Sequence, residues 1–188
     1  MDDLLAAEYN YIADTACQAN EDRARVSSFY LIAVGSLVAA LFSARLIGPE
    51  FDAGGTNLLF SGLFFMLTIL GTTTVVQLAR LRAAWYESML AMNQIKEYII
   101  SKDEELAKAY RWRSSTLPSL YKVNSISYQQ TFEVAILSGL MFGASAYFLQ
   151  KGIVFTTHIL NWTITCGLGA LAFTSQLYLY KKLLDHKN

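Results

Sequence analysis

Charge is what this chain has least of. Only 16% of its 188 residues are Asp, Glu, Lys or Arg, against about a quarter in ordinary soluble domains. So little charge cannot cover a water-soluble globule, and a 54% hydrophobic composition points to lipid as the surrounding solvent. The balance of 15 basic and 15 acidic residues gives no net charge, which argues against nucleic acid as a partner. The two cysteines, Cys17 and Cys166, fall in a cytoplasmic segment and in the last apolar run, so free thiols are expected rather than a disulfide. The two histidines, His158 and His186, fall on opposite sides of the last apolar run. With no cluster of Cys or carboxylates to join them, no haem, zinc or other cofactor is expected. No Ser/His pair, metal set or paired carboxylates occur within the apolar runs, so an enzyme is not expected.

What is present is length of apolar sequence. A hydrocarbon core about 30 Å thick needs roughly 20 apolar helical residues to cross it. Four stretches meet that need, at about 29–47, 58–78, 131–149 and 160–180. The chain opens Met1, Asp2, Asp3 and reaches its first long apolar run only at Phe29, unlike a signal peptide, so the first helix should be retained. Orientation follows from Lys and Arg, which favour short cytoplasmic segments. Arg45 and Lys151 fall on one side and the other 13 basic residues on the opposite side. Both termini and the segment between the second and third runs are therefore expected in the cytoplasm, in the cell's inner (plasma) membrane. The outer links, Gly48 to Asn57 with Pro49 and Gly54, and Gln150 to Gly152, read as short turns. The expectation is an all-α, four-span membrane protein forming one domain.

Two cytoplasmic helices are predicted, at about 2–26 and 80–116. From Arg80 to Ser101 the sequence continues from the second apolar run without Gly or Pro, and Leu81, Trp85, Met89, Met92, Ile95 and Ile99 recur at helical spacing, so that the second span is expected to run on into the cytoplasm as one long helix. Ser101 with Glu104 has the form of a capping box, predicting a break and a fresh start near Lys102. Pro118 closes the segment. The N-terminal stretch places Leu5, Tyr9, Ile12 and Ala16 on one face, and pairing of the two helices would bury both stripes.

Within the spans, Thr72, Thr73 and Thr74 with Gln77 make a polar patch that would suit a pore wall, or hydroxyls bonded back to their own helix. Glu133 is the one acidic residue inside a span and is either functional or interfacial. Small residues four apart, including Gly35 and Ala39, Gly139 and Gly143, and Gly167, allow close helix approach within a protomer or between protomers. Arg111, Trp112 and Arg113 concentrate basic and aromatic character beside the membrane, as an anchor to anionic headgroups or an anion site.

A cytoplasmic helix with a Tyr-rich start (Glu8, Tyr9, Asn10, Tyr11), the basic pair Arg23 and Arg25, a membrane hairpin and then a long cytoplasmic helix resembles SLATT-type proteins of bacterial conflict systems. The resemblance covers roughly residues 5 to 112 and implies a membrane-disrupting or pore-forming effector. The hairpin after residue 129 is an addition to that pattern. The expected function is a homo-oligomer in the lipid bilayer that forms or gates a pore or perturbs the membrane. The rival is a non-enzymatic anchor that binds a cytoplasmic protein through its helices.

Overall fold

The computed structural model describes residues 2–47, 53–153 and 158–185. The chain is all-helical: α1 spans Asp2–Ile47, α2 Ala53–Lys102, α3 Ile126–Ile153 and α4 His158–Asp185. At a rise of 1.5 Å per residue, α1 and α2 are about 70 Å and 75 Å long, and α3 and α4 about 42 Å. The residues of these four helices include no proline, the residue that would break their hydrogen-bond ladders.

The second predicted cytoplasmic helix continues from its apolar neighbour as expected, and the first is continuous with its own as well. α1 joins 2–26 to 29–47 without a break, and α2 runs from the second apolar stretch through the Trp85–Ile99 stripe. The two lie antiparallel along much of their length, with Lys96 Nζ 5.8 Å from the Tyr9 ring centre and Tyr30 beside Gly71. In the polar half, α1 and α2 bury Ala16, Ala19, Ala83, Met92 and Ile100. Met89, Ile95 and Ile99 are half-buried beside them, as is Trp85, whose ring carries the Arg82 guanidinium 4.4 Å from its centre. Arg25 pairs with Glu21 and with Asp22, both within α1. Apolar burial therefore supports the contact.

α2 and α3 form the centre of the bundle. α1 packs mainly on α2 and α4 mainly on α3. The core includes Tyr30, Val34, Phe64, Val75, Leu78, Val134, Met141 and Tyr180. Phe148 of α3 stacks against Phe64 at 5.6 Å and meets Phe60 edge-on at 5.4 Å.

Three helices, α1, α2 and α3, are long and apolar enough to cross a membrane. α4 is as long as α3 but does not qualify, because Asn161, Thr163, Thr165, Thr174, Ser175 and Gln176 dilute its apolar residues.

Other boundaries shift as well. The helix predicted over 80–116 ends at Lys102, and two 3₁₀ turns, Glu104–Lys108 and Ser114–Thr116, take its place beyond that point. The cap of the first turn is Asp103, which accepts from the Glu105 amide at 3.1 Å, rather than Ser101. Ser101 Oγ instead donates back to the Tyr98 carbonyl, the local bond that competes with capping. Gln150 to Gly152 is not a link but part of α3, which continues to Ile153. Of the turn expected over Gly48 to Asn57, residues 53–57, with Gly54, belong instead to the first turns of α2; the part around Pro49 lies outside the described residues, as does His186.

Candidate functional site

Three layers along the bundle axis hold buried polar groups. The first joins α2 to α3, where Ser61 Oγ donates to the Ser145 carbonyl and Ser145 Oγ to the Ser61 carbonyl, both at 2.9 Å. This reciprocal clamp ties two backbones that only small side chains allow so close.

About 15 Å further along α2, all four helices meet at a polar hub. Gln176 of α4 donates through Nε2 to Thr72 Oγ1 of α2 at 2.9 Å and to Ser138 Oγ of α3 at 2.6 Å. Ser138 Oγ donates onward to the Thr68 carbonyl at 3.3 Å, and Thr72 Oγ1 donates to the same carbonyl at 2.9 Å. Tyr30 of α1 directs its hydroxyl at Ser138 but falls outside hydrogen-bond geometry, and Gln176 Oε1 is also buried without a partner among the described residues. Gly71 makes the convergence geometrically feasible. A Cβ there would sit 2.6 Å from Ser138 Oγ and 2.7 Å from Tyr30 Oη.

The third layer lies roughly another 15 Å along, at the end of the apolar half. Arg23 and Arg82 are 8% and 6% exposed. Arg82 Nε donates to the Leu120 carbonyl at 3.2 Å, and Arg23 donates to the Asn20 side chain. Ser127 and Tyr180 share a hydrogen bond at 3.0 Å beside them. Burial lowers both guanidinium pKa values, and the neighbouring Arg82 charge lowers that of Arg23 further. No carboxylate is among the groups acting on either; Tyr180 opposes the shift in both, and Tyr86 does so at Arg82. The strap after α2 closes this layer with buried Leu120 and with Tyr121, whose ring packs against Tyr128 and Tyr180.

No family model, curated protein or solved structure matches this chain. The site is therefore read from its own geometry.

The sequence-predicted residues are dispersed. Thr72, Thr73 and Thr74 all bond back to carbonyls one turn earlier, and only Thr72 also belongs to the hub. Thr73 and Gln77 face outward beside α1, and Glu133 is exposed on α3, so these residues do not share one polar surface. Gly139 and Gly143 lie against α4 of the same protomer, where Cβ atoms would meet the Gly169 carbonyl at 2.8 Å and the Thr165 carbonyl at 3.1 Å. Gly35, Ala39 and Gly167 point away from the bundle, and a Cβ at Gly35 or Gly167 would meet nothing within 4 Å. Trp112 is 68% exposed and Arg111 is exposed, while Arg113 is half-buried with its amide bonded to Thr116 Oγ1. Ser61, Ser138, Ser145 and Gln176 were missed. Their signal is a polar side chain inside an apolar run, and only the partner helix reveals which such residues converge.

Proposed function

We propose that this chain is a four-span membrane protein that assembles as a homo-oligomer and, in that form, opens or gates a pore or perturbs the bilayer. The spans are about 29–47, 58–78, 131–149 and 160–180, with both termini and the polar half of the α1/α2 hairpin in the cytoplasm. A fourth crossing by α4 is supported by where its polar groups turn. Gln176 is buried against the bundle and donates through Nε2 to Thr72 and Ser138, and a polar group that finds its partner inside protein is tolerated at membrane depth. On this placement the four-helix hub lies near the midplane.

The observation that carries the oligomer reading is the opposite face of α4. Thr163, Gly167, Ala170 and Thr174 are exposed there along one ridge, and small residues in such a ridge let helices approach closely in lipid. The space between the helices of one protomer is filled by fully buried Tyr30, Val75, Leu78 and Val134, so a conducting path takes its walls from several copies. The resemblance to SLATT-type proteins adds an effector role in bacterial defence, without enzymatic chemistry.

The test is reconstitution. Wild-type protein in liposomes should release a trapped small dye and run as an oligomer by native mass. Gly167→Leu should reduce both while leaving helix content unchanged. Release by a monomer, or wild-type assembly of the Leu variant, overturns the reading.

The anchor reading draws on a groove of about 460 Å³ between the start of α1 and the end of α2, lined by Leu5, Tyr9, Ile95, Ile99 and Tyr110 among others. It predicts capture of one cytoplasmic protein, lost in Ile99→Asp, with no release of dye.

A further inference from the structure

Four arginines gather within one turn of the cytoplasmic boundary, at positions 23 and 25 of α1 and 80 and 82 of α2. Arg23 and Arg82 turn inward, and no carboxylate is among the groups acting on them. Arg25 and Arg80 are exposed. Glu21 and Asp22 lie 3.5 Å and 3.8 Å from Arg25. In the lining of the grooves beside this layer, Arg25 and Arg80 stand against one carboxylate, Asp22. The inner pair is screened poorly because it is buried.

Beside this layer, the outer seam of α1 and α2 holds two grooves. One, of about 350 Å³, is lined by Asp22, Arg25, Val26, Gln77, Arg80 and Leu81. The other, of about 320 Å³, shares Arg25, Val26 and Gln77 and extends to Phe29, Leu70, Thr73 and Thr74. Together they make a trough with a cationic rim at the headgroup level and an apolar floor that descends along Phe29 and Leu70. We propose that this trough binds one anionic phospholipid, with its phosphate on Arg25 and Arg80, its ester region beside Gln77 and Thr73, and an acyl chain along Val26, Phe29 and Leu70.

Charge complementarity selects an anion, and the apolar floor selects one that carries a chain. The ion pairs of Arg25 with Glu21 and Asp22 are exposed and hold little energy, so a phosphate displaces them readily. Glu21 and Asp22 remain close enough to disfavour a second anion. The inference rests on the membrane placement proposed above and adds a lipid class and a site to it.

Native mass spectrometry of the detergent-extracted protein tests it, with phosphatidylglycerol, phosphatidylcholine of the same chains, and inorganic phosphate as probes. One phosphatidylglycerol should be retained over phosphatidylcholine by about 25-fold, which is fivefold for each of two arginines at roughly 1 kcal/mol per basic residue. Arg25→Gln with Arg80→Gln, both at exposed positions, should erase that preference. Leu70→Trp, which fills the floor, should weaken both lipids and keep the preference. Equal retention of the two lipids by wild type, or a preference that survives in the double variant, overturns the proposal. Displacement by millimolar inorganic phosphate, with no effect of Leu70→Trp, reassigns the site to a soluble anion and overturns the lipid. Recovery of the chain from cells without detergent overturns the placement itself, a result separate from any preference among lipids.

Discussion

The polar half of the α1/α2 hairpin and the apolar four-helix bundle use the same element, two antiparallel helices side by side, but different residues hold them. In the polar half the buried apolar positions are Ala16, Ala19, Ala83, Met92 and Ile100, with Ser88 and Asn93 buried among them, and removal of that apolar stripe from water supplies the driving force. In the bundle they include Ser61, Gly71, Thr131, Ser138, Gly139, Gly143, Ser145 and Gln176. On the membrane placement proposed above, the bundle's surroundings are as apolar as Leu, so hydrophobicity gains nothing by leaving them, and close packing with interhelical hydrogen bonds takes over. On that placement the same fold is written in two residue alphabets, one for each solvent.

The largest expected effect is in the polar half. Met92→Asp places a charge in a buried stripe at a cost of several kcal/mol. Amide exchange over 2–26 and 80–102 should accelerate sharply while α3 and α4 keep their protection. Ile95→Asp, at a half-buried position, should do the same more weakly. Unchanged exchange in both would mean that the stripe does not hold the hairpin.

Next comes Gly71→Val in the bundle. Its Cβ would overlap the hydroxyls of Ser138 and Tyr30, so the variant should lose about 3 kcal/mol and melt earlier in detergent. The polar half should keep its exchange protection until the bundle melts. If Val is tolerated, the hub is looser than its geometry implies and packing is not what joins α1 to α3.

A smaller loss is expected from Gln176→Leu. The substitution makes α4 more apolar, and so favours insertion, but it removes both hydrogen bonds that tie α4 to α2 and α3. At roughly 0.6 kcal/mol per interhelical bond in lipid, the net destabilisation should be about 1 kcal/mol by steric trapping or detergent titration. A stabilised Leu variant would show that α4 is held by its apolar contacts alone.

The smallest effect belongs to the Ser61 and Ser145 clamp. A double-mutant cycle with Ala at both positions should give a coupling of about 1 kcal/mol for the two reciprocal bonds. A coupling near zero would leave only the small size of the serines to account for their place between α2 and α3.

Length, composition and period were enough to specify several long helices, the apolar stretches of three of them and the break after Lys102. Helix formation is local, and the absence of Pro and Gly from 80–102 is visible without any partner. The face of α1 carrying Leu5, Tyr9, Ile12 and Ala16 was equally legible, because an apolar stripe in a polar helix has only one way to turn. Inside the apolar runs that contrast vanishes. Nothing in the local sequence distinguishes exposed Gly35 and Gly167 from Gly139 and Gly143, which carry α4 against them, or separates Thr72 from Thr73. Only the tertiary structure decided that Tyr30, Thr72, Ser138 and Gln176, scattered across 147 positions of the chain, converge on one hub, and that Arg23 faces Arg82. Such convergence depends on the rotation and register of four rods against one another. Packing small and polar side chains sets those quantities, and hydropathy is blind to them.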